Sequence, residues 1–196
     1  MSRTRKPLAV MTLVLSACAV AAALSAPDAE AGSPSRRNGR PSVPRGWVPP
    51  VKSDRWECIV IHHSATDFGG ARRFDKGHKN KGWDDLGYHF VIGNGSDTRD
   101  GTVEVGPRWK EQRHGAHCRS PEDYYNEHGI GICLVGNFDE EKPSAAQTQS
   151  LNKLVRFLSR KYDIPPNKIF THGGVTHQTK CPGKHFDLKA LRKSVR

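Results

Sequence analysis

Three short stretches of the chain carry side chains able to hold a metal ion. Cys58-Ile59-Val60-Ile61-His62-His63-Ser64-Ala65-Thr66 is an apolar run that ends in histidine. Gly87-Tyr88-His89-Phe90 is the second, and Thr171-His172, followed nine residues later by Cys181-Pro182-Gly183, is the third, with a further imidazole and a thiol just before a turn. A strand ending in histidine, a later histidine on a loop and a cysteine just before a Pro-Gly turn could give two imidazoles and one thiolate, a donor set suited to Zn2+, whereas magnesium and calcium prefer oxygen. Three protein ligands leave the fourth tetrahedral position open, which is the arrangement of a hydrolytic site rather than a structural one. His63 adjoins His62 on the same run and points to the opposite face, so it reads as packing or support. His177, between His172 and Cys181, is the alternative donor. His78, His114, His128 and His185 read as surface residues. A cysteine peptidase built on Cys181 and His172 is a competing chemistry; chelation separates the two, because a thiol nucleophile needs no metal.

Those donors need a scaffold. Glu57 to His62 is apolar and β-branched, which predicts a buried strand with His62 at its end. Ala71 to Lys79 predicts a short helix. Tyr88 to Gly93 and Thr102 to Gly106 predict two strands of a hairpin, with turn residues Asn94-Gly95-Ser96-Asp97 and Arg99-Asp100-Gly101 between them. Gly129 to Gly136 is nearly all apolar and predicts a central strand. Ser144 and Gln147 form a capping box, and Leu151, Leu154, Val155, Leu158 and Tyr162 then share one helical face. Lys168 to Thr171 predicts the short strand that delivers His172, and Asp187 caps a basic C-terminal helix. Strands and helices mix without strict alternation, which predicts an α/β domain with a central mixed β-sheet flanked by helices.

The first 31 residues carry the pattern of an export signal: a basic start at Arg3, Arg5 and Lys6, an apolar run from Leu8 to Leu24, and Ala29-Glu30-Ala31 as a cleavage pattern. Leu15-Ser16-Ala17-Cys18 competes as a lipobox, which would leave a lipid anchor on Cys18. An uncleaved anchor is a third reading. All three place the domain outside the cytoplasm, in the periplasm, the cell envelope or the medium. Residues 32–50, rich in Pro, Gly, Ser and Arg, read as a linker. The domain is then 51–196, with 24 basic and 18 acidic residues. That excess is spread among both signs and reads as a solvated surface with a mild bias toward anionic polymers such as cell wall or an acidic membrane. No basic block is interleaved with aromatics in the domain, so nucleic acid is not an expected partner. A monomer is expected.

Ile59 to Thr66, Gly82-Trp83-Asp84-Asp85-Leu86-Gly87-Tyr88-His89-Phe90, Gly129 to Gly136, and His172 with Cys181-Pro182-Gly183 together resemble the zinc-dependent N-acetylmuramoyl-L-alanine amidases. The subgroup is the one shared by phage lysozyme-type amidases and peptidoglycan recognition proteins. The resemblance spans nearly the whole domain, in order. It implies hydrolysis of the amide between N-acetylmuramic acid and L-alanine of peptidoglycan, with His62, His172 and Cys181 as zinc ligands. It implies that Tyr88 and Thr179 are catalytic, stabilising the tetrahedral intermediate, and that His117 and Asn126 line the substrate groove. Trp83 would support the fold near Tyr88. The spacing departs by one residue: Cys181 comes nine positions after His172 where eight is usual, so Lys180 is displaced toward solvent. The resemblance leaves the general base open. It also leaves a non-catalytic peptidoglycan-binding domain as the alternative, although such members lack the metal cysteine that this chain keeps.

Of the other cysteines, Cys133 lies in an apolar strand and reads as a buried thiol. Cys58 shares a strand face with His62, and Cys118 follows His117, which the resemblance puts near the groove. A Cys58–Cys118 disulfide is therefore expected, with unbridged thiols or a partnership with Cys133 as alternatives.

Overall fold

A computed structural model describes residues 42–195. Five strands form one sheet in the order β3-β2-β4-β1-β5. They are β1 (Cys58–His63), β2 (Phe90–Ile92), β3 (Val103–Val105), β4 (Gly129–Leu134) and β5 (Ile169–Thr171). β4 runs parallel to both β1 and β2, and β5 runs parallel to β1, while β3 closes the other edge antiparallel to β2. All six residues of β1 and all six of β4 are buried, as expected for parallel strands covered on both faces.

Alternation sorts the two faces. Ile59, Ile61, Phe90, Ile92, Ile130, Ile132 and Leu134 enter the main core. Against them pack Leu151, Leu154, Val155 and Leu158 of α4 (Ala145–Tyr162). The capping box forms: the Ser144 hydroxyl accepts from the Gln147 N–H at 3.0 Å, and the Gln147 side chain accepts from the Ser144 N–H at 3.1 Å. The same amide then donates to the Val135 carbonyl at 2.7 Å, which ties the start of α4 to the end of β4. Asp187 caps α6 (Leu188–Ser194) by accepting from the Ala190 N–H. Among the described residues no helix is long and apolar enough to cross a membrane.

The opposite face carries Cys58, Val60, His62, Gly129, Gly131 and Cys133, and is covered by α1 (Ala71–Lys79), α3 (Tyr124–Glu127) and α5 (His172–Thr176). α3, α5 and α2 (Pro107–Glu111) are one-turn helices that the sequence pattern does not predict; they are too short to show a period.

Two expectations are corrected. The linker does not run to residue 50. Trp47 is 7% exposed, its ring packs on Phe157, and its carbonyl accepts from the Trp109 indole at 3.1 Å. Trp47 and Pro49 are buried while the other residues of 42–50 stay exposed, so the stretch is pinned to the domain mainly by one large aromatic. Cys58 and Cys118 are not bridged. They share one apolar cluster with Val60, Tyr124, Tyr125 and Phe170, but the Cys58 thiol turns to the His128 carbonyl at 3.8 Å. Burial pushes each of these thiols up to about 12, which keeps them protonated and unreactive. Cys133 is a buried thiol, as the sequence predicts. The export signal, the lipobox at Cys18 and most of the linker lie outside the described residues.

Candidate metal centre and its groove

Parallel pairing puts the C-terminal ends of β1 and β5 side by side, and ligands in open α/β sheets gather at that edge. His62 is the fifth residue of β1, on the face away from α4, and is 1% exposed. His172 is the first residue of α5, directly after β5. Thr171 caps that helix, its hydroxyl accepting from the Gly174 N–H at 3.1 Å, and so fixes where the His172 side chain leaves the backbone.

Cys181 arrives on the loop after α5. Its carbonyl accepts from the Gly173 N–H at 2.7 Å, and its N–H donates to the Thr179 hydroxyl at 3.1 Å. A methyl group at Gly173 would collide with the Thr179 carbonyl, so this close approach needs glycine. The Cys181 sulfur receives the His63 N–H at 3.4 Å and lies 3.9 Å from His62 Nδ1.

One donor atom from each of His62, His172 and Cys181 falls within 4.8 Å of the others. Bonds of about 2.0 and 2.3 Å to a tetrahedral zinc would set nitrogen and sulfur roughly 3.6 Å apart, close to what His62 and Cys181 adopt. Burial, followed by His117, His172 and His63, holds the His62 imidazole well below its ordinary pKa. Burial and His63 lower His172. Both rings are therefore neutral near pH 7 and keep a lone pair for a metal. Burial pushes the Cys181 thiol up to about 11, against the pull of the His63 N–H. A divalent cation is what would make a thiolate favourable there. The donor set thus fits zinc by type, spacing and protonation. His177, the alternative donor, is exposed at the end of α5 and is not part of the cluster.

His63 turns its ring to the main-core side, packs at a tilt on Phe138 with centroids 5.9 Å apart, and accepts from the Phe138 N–H through Nδ1 at 3.1 Å. Tyr88 packs its ring on His62, centroids 5.2 Å apart. Burial, with the Cys133 and Cys181 thiols nearby, holds the Tyr88 hydroxyl well above its ordinary pKa, so it remains a donor. The loop before it is clamped by an ion group. Asp85 pairs with Arg108 at 2.6 Å and with Arg113, and Arg108 donates to the Leu86 carbonyl at 2.9 Å.

A groove of about 470 Å³ opens beside the centre, lined in part by Trp83, His117, Arg119, Asn126, His172 and Thr179. Thr179 is exposed at its edge. Its oxygen is held by the Cys181 N–H, which leaves the hydroxyl proton available to a ligand. His117 and Asn126 both line the groove, yet their polar atoms turn inward. Asn126 Oδ1 accepts from the His117 and Cys118 N–H groups at 2.8 and 2.9 Å, and its amide donates to Asp123 at 2.6 Å. Both ring nitrogens of His117 are engaged as well, with His62 and with the Gly129 carbonyl, each at 3.1 Å.

Of the four histidines expected on the surface, only His114 is exposed. His78 is half-buried, accepts from the Gly87 N–H at 3.0 Å, and packs at a tilt on Trp83 with centroids 4.5 Å apart. Trp83 is 41% exposed and forms groove wall as well as support. The i, i+4 pair of Phe74 and His78 marks an inward helix face and is the signal that could have found His78.

The sequence profile of the family described as N-acetylmuramoyl-L-alanine amidase matches residues 52–184. The endolysin of Enterobacteria phage T3 is 38% identical over 141 residues, covering 68% of this chain and 83% of its own. The N-acetylmuramoyl-L-alanine amidase LysC from Clostridium intestinale URNW superposes with a TM-score of 0.61 at 33% identity, covering 73% of this chain and 88% of that one. A structure of the peptidoglycan recognition proteins LCa and LCx bound to tracheal cytotoxin matches with a TM-score of 0.55 at 26% identity, covering 71% and 82%.

Proposed function

Because the chain belongs to the N-acetylmuramoyl-L-alanine amidase family, we propose that it is a zinc hydrolase of peptidoglycan, cutting between the lactyl group of N-acetylmuramic acid and the L-alanine of the stem peptide. The observation that carries the zinc part of this reading is the convergence of His62, His172 and Cys181 beside an open groove. Zinc held by those three would polarise the scissile carbonyl and bring the pKa of water from 15.7 toward about 7.

The chain's own residues do the rest. The groove binds the glycan and peptide on either side of the scissile bond, and Arg119 on its wall suits the carboxylates of a stem peptide. The Tyr88 hydroxyl donates a hydrogen bond to the oxygen that becomes negative as the carbonyl carbon turns tetrahedral. Thr179, its oxygen already engaged by the Cys181 N–H, directs its proton to the same oxygen. His117 and Asn126 shape the groove wall.

The test is incubation of purified protein with peptidoglycan, reading new N-terminal alanine and the separated glycan and peptide by mass spectrometry. Expected is alanine release that stops on chelation and returns with zinc. Binding to the wall without alanine release would favour a recognition domain. Release that survives complete removal of metal would favour a thiol nucleophile.

The same reading places the domain outside the cytoplasm, where peptidoglycan lies. Residues 1–31 would act as an export signal, or Cys18 would carry a lipid that tethers the protein to a membrane through the following linker. Sequencing the mature N-terminus distinguishes them: a start at Gly32 supports secretion and a blocked Cys18 supports a lipid anchor. A chain retained in the cytoplasm with its first residues intact would overturn both.

A further inference from the structure

We infer that His117 is a positioning residue for the metal centre: its ring links the Gly129 carbonyl to His62 and fixes His62 in the tautomer that presents Nδ1 beside Cys181. The inference rests on the zinc reading above.

The hydrogen bonds determine the protons. The Gly129 carbonyl only accepts, so His117 Nε2, at 3.1 Å, carries a hydrogen. His117 Nδ1 is then a bare acceptor. It faces His62 Nε2 at 3.1 Å, so that nitrogen must donate. His62 Nδ1 is left with its lone pair, 3.9 Å from the Cys181 sulfur and on the side where a metal would sit. A metal-bound histidine usually gives its other N–H to a carboxylate or a carbonyl. Here no carboxylate is involved, and a second imidazole passes the hydrogen bond on to a backbone carbonyl.

The ring of His117 is held in a built slot. A methyl group at Gly115 or at Gly131 would strike its Cδ2 atom, so the ring occupies space that both positions leave open by being glycine. Gly131 is on β4, facing away from α4, where any larger side chain would fill the slot. Asn126 fixes the entry to the slot by accepting from the N–H groups of His117 and Cys118. With both ring nitrogens engaged, His117 offers a substrate only the face or edge of its ring. Its role is therefore exerted through His62.

Zinc affinity is measured by competition with a chromogenic chelator on purified wild type, His117→Leu and His117→Asn, with Tm as the control for folding. His117→Leu removes the acceptor and is expected to weaken zinc binding by about 10- to 100-fold. His117→Asn supplies an amide oxygen near the place of Nδ1 and is expected to recover most of that loss. Long-range proton–nitrogen correlation spectra of metal-depleted wild type should show the His62 hydrogen on Nε2, and in His117→Leu a mixture of tautomers. Wild type that binds no zinc would defeat the zinc reading itself. Wild type that binds zinc while His117→Leu binds it equally well would defeat this inference alone. So would an Asn variant as weak as Leu, or a His62 hydrogen on Nδ1 in metal-depleted wild type. The last measurement needs no variant and decides the matter even if both substitutions unfold the chain.

Discussion

Cys181→Ser is expected to strip the protein of zinc and to lower alanine release from peptidoglycan by at least about 10³-fold. The sulfur is the one donor that can bring negative charge to a centre otherwise made of two neutral imidazoles. A serine hydroxyl stays neutral at any working pH and is a poor ligand for zinc. The lost metal takes with it a transition-state stabilisation of several kcal/mol, and every 1.36 kcal/mol is tenfold in rate. Two measurements check this: elemental analysis after dialysis, and the alanine-release rate at saturating substrate. Wild type should hold one zinc per chain and the variant almost none. A variant that retains full zinc and full rate would remove Cys181 from the site. Both the metal and the thiol-nucleophile readings predict lost activity here, so zinc content is the decisive number.

Tyr88→Phe is expected to lower kcat by about 10²- to 10³-fold, the usual consequence of losing one oxyanion donor, with zinc content unchanged. The ring would still pack on His62, so the wall of the centre should survive. KM should change little, because the hydroxyl's partner becomes fully charged only as the carbonyl carbon turns tetrahedral. The raised pKa of Tyr88 adds a sign. In the metal-free protein the group loses its donor proton only well above its ordinary value near pH 10. An unchanged kcat in zinc-loaded Tyr88→Phe would reduce Tyr88 to packing.

Much of this was legible in the sequence because the relevant signals are local. β1 announces itself as a β-branched run ending at His62, β4 as a nearly unbroken apolar strand, and α4 by a capping box that forms as expected. The positions of His62, His172 and Cys181 follow from strand ends and a turn. What was hidden depends on contacts across the sheet. Nothing near Trp47 in sequence shows that it will meet Phe157 and Trp109. His117 and Asn126 read as groove residues, but the inward direction of their polar atoms depends on Gly129 and Gly131 lying opposite on β4. Alternation put Cys58 on the face that Cys118 also meets, yet proximity alone does not join two buried thiols. His78 reads as surface from sequence because a short amphipathic pattern is a weak signal beside the four Lys and Arg of the same helix.

The order in which the chain supplies its donors has a biosynthetic consequence. β1 is made early, but β5 pairs only with β1, at the sheet's edge, and it comes near the end of the sequence, followed by the Cys181 loop. A nascent chain that stops short of residue 172 holds one of the three donors. A single imidazole binds zinc too weakly to keep it. On the zinc reading, an enzyme arranged this way would gain its metal centre only once β5 and the Cys181 loop had been made and had docked on β1. Proteolytic trimming of the same tail would remove two of the three donors together with Thr179 and part of the groove wall.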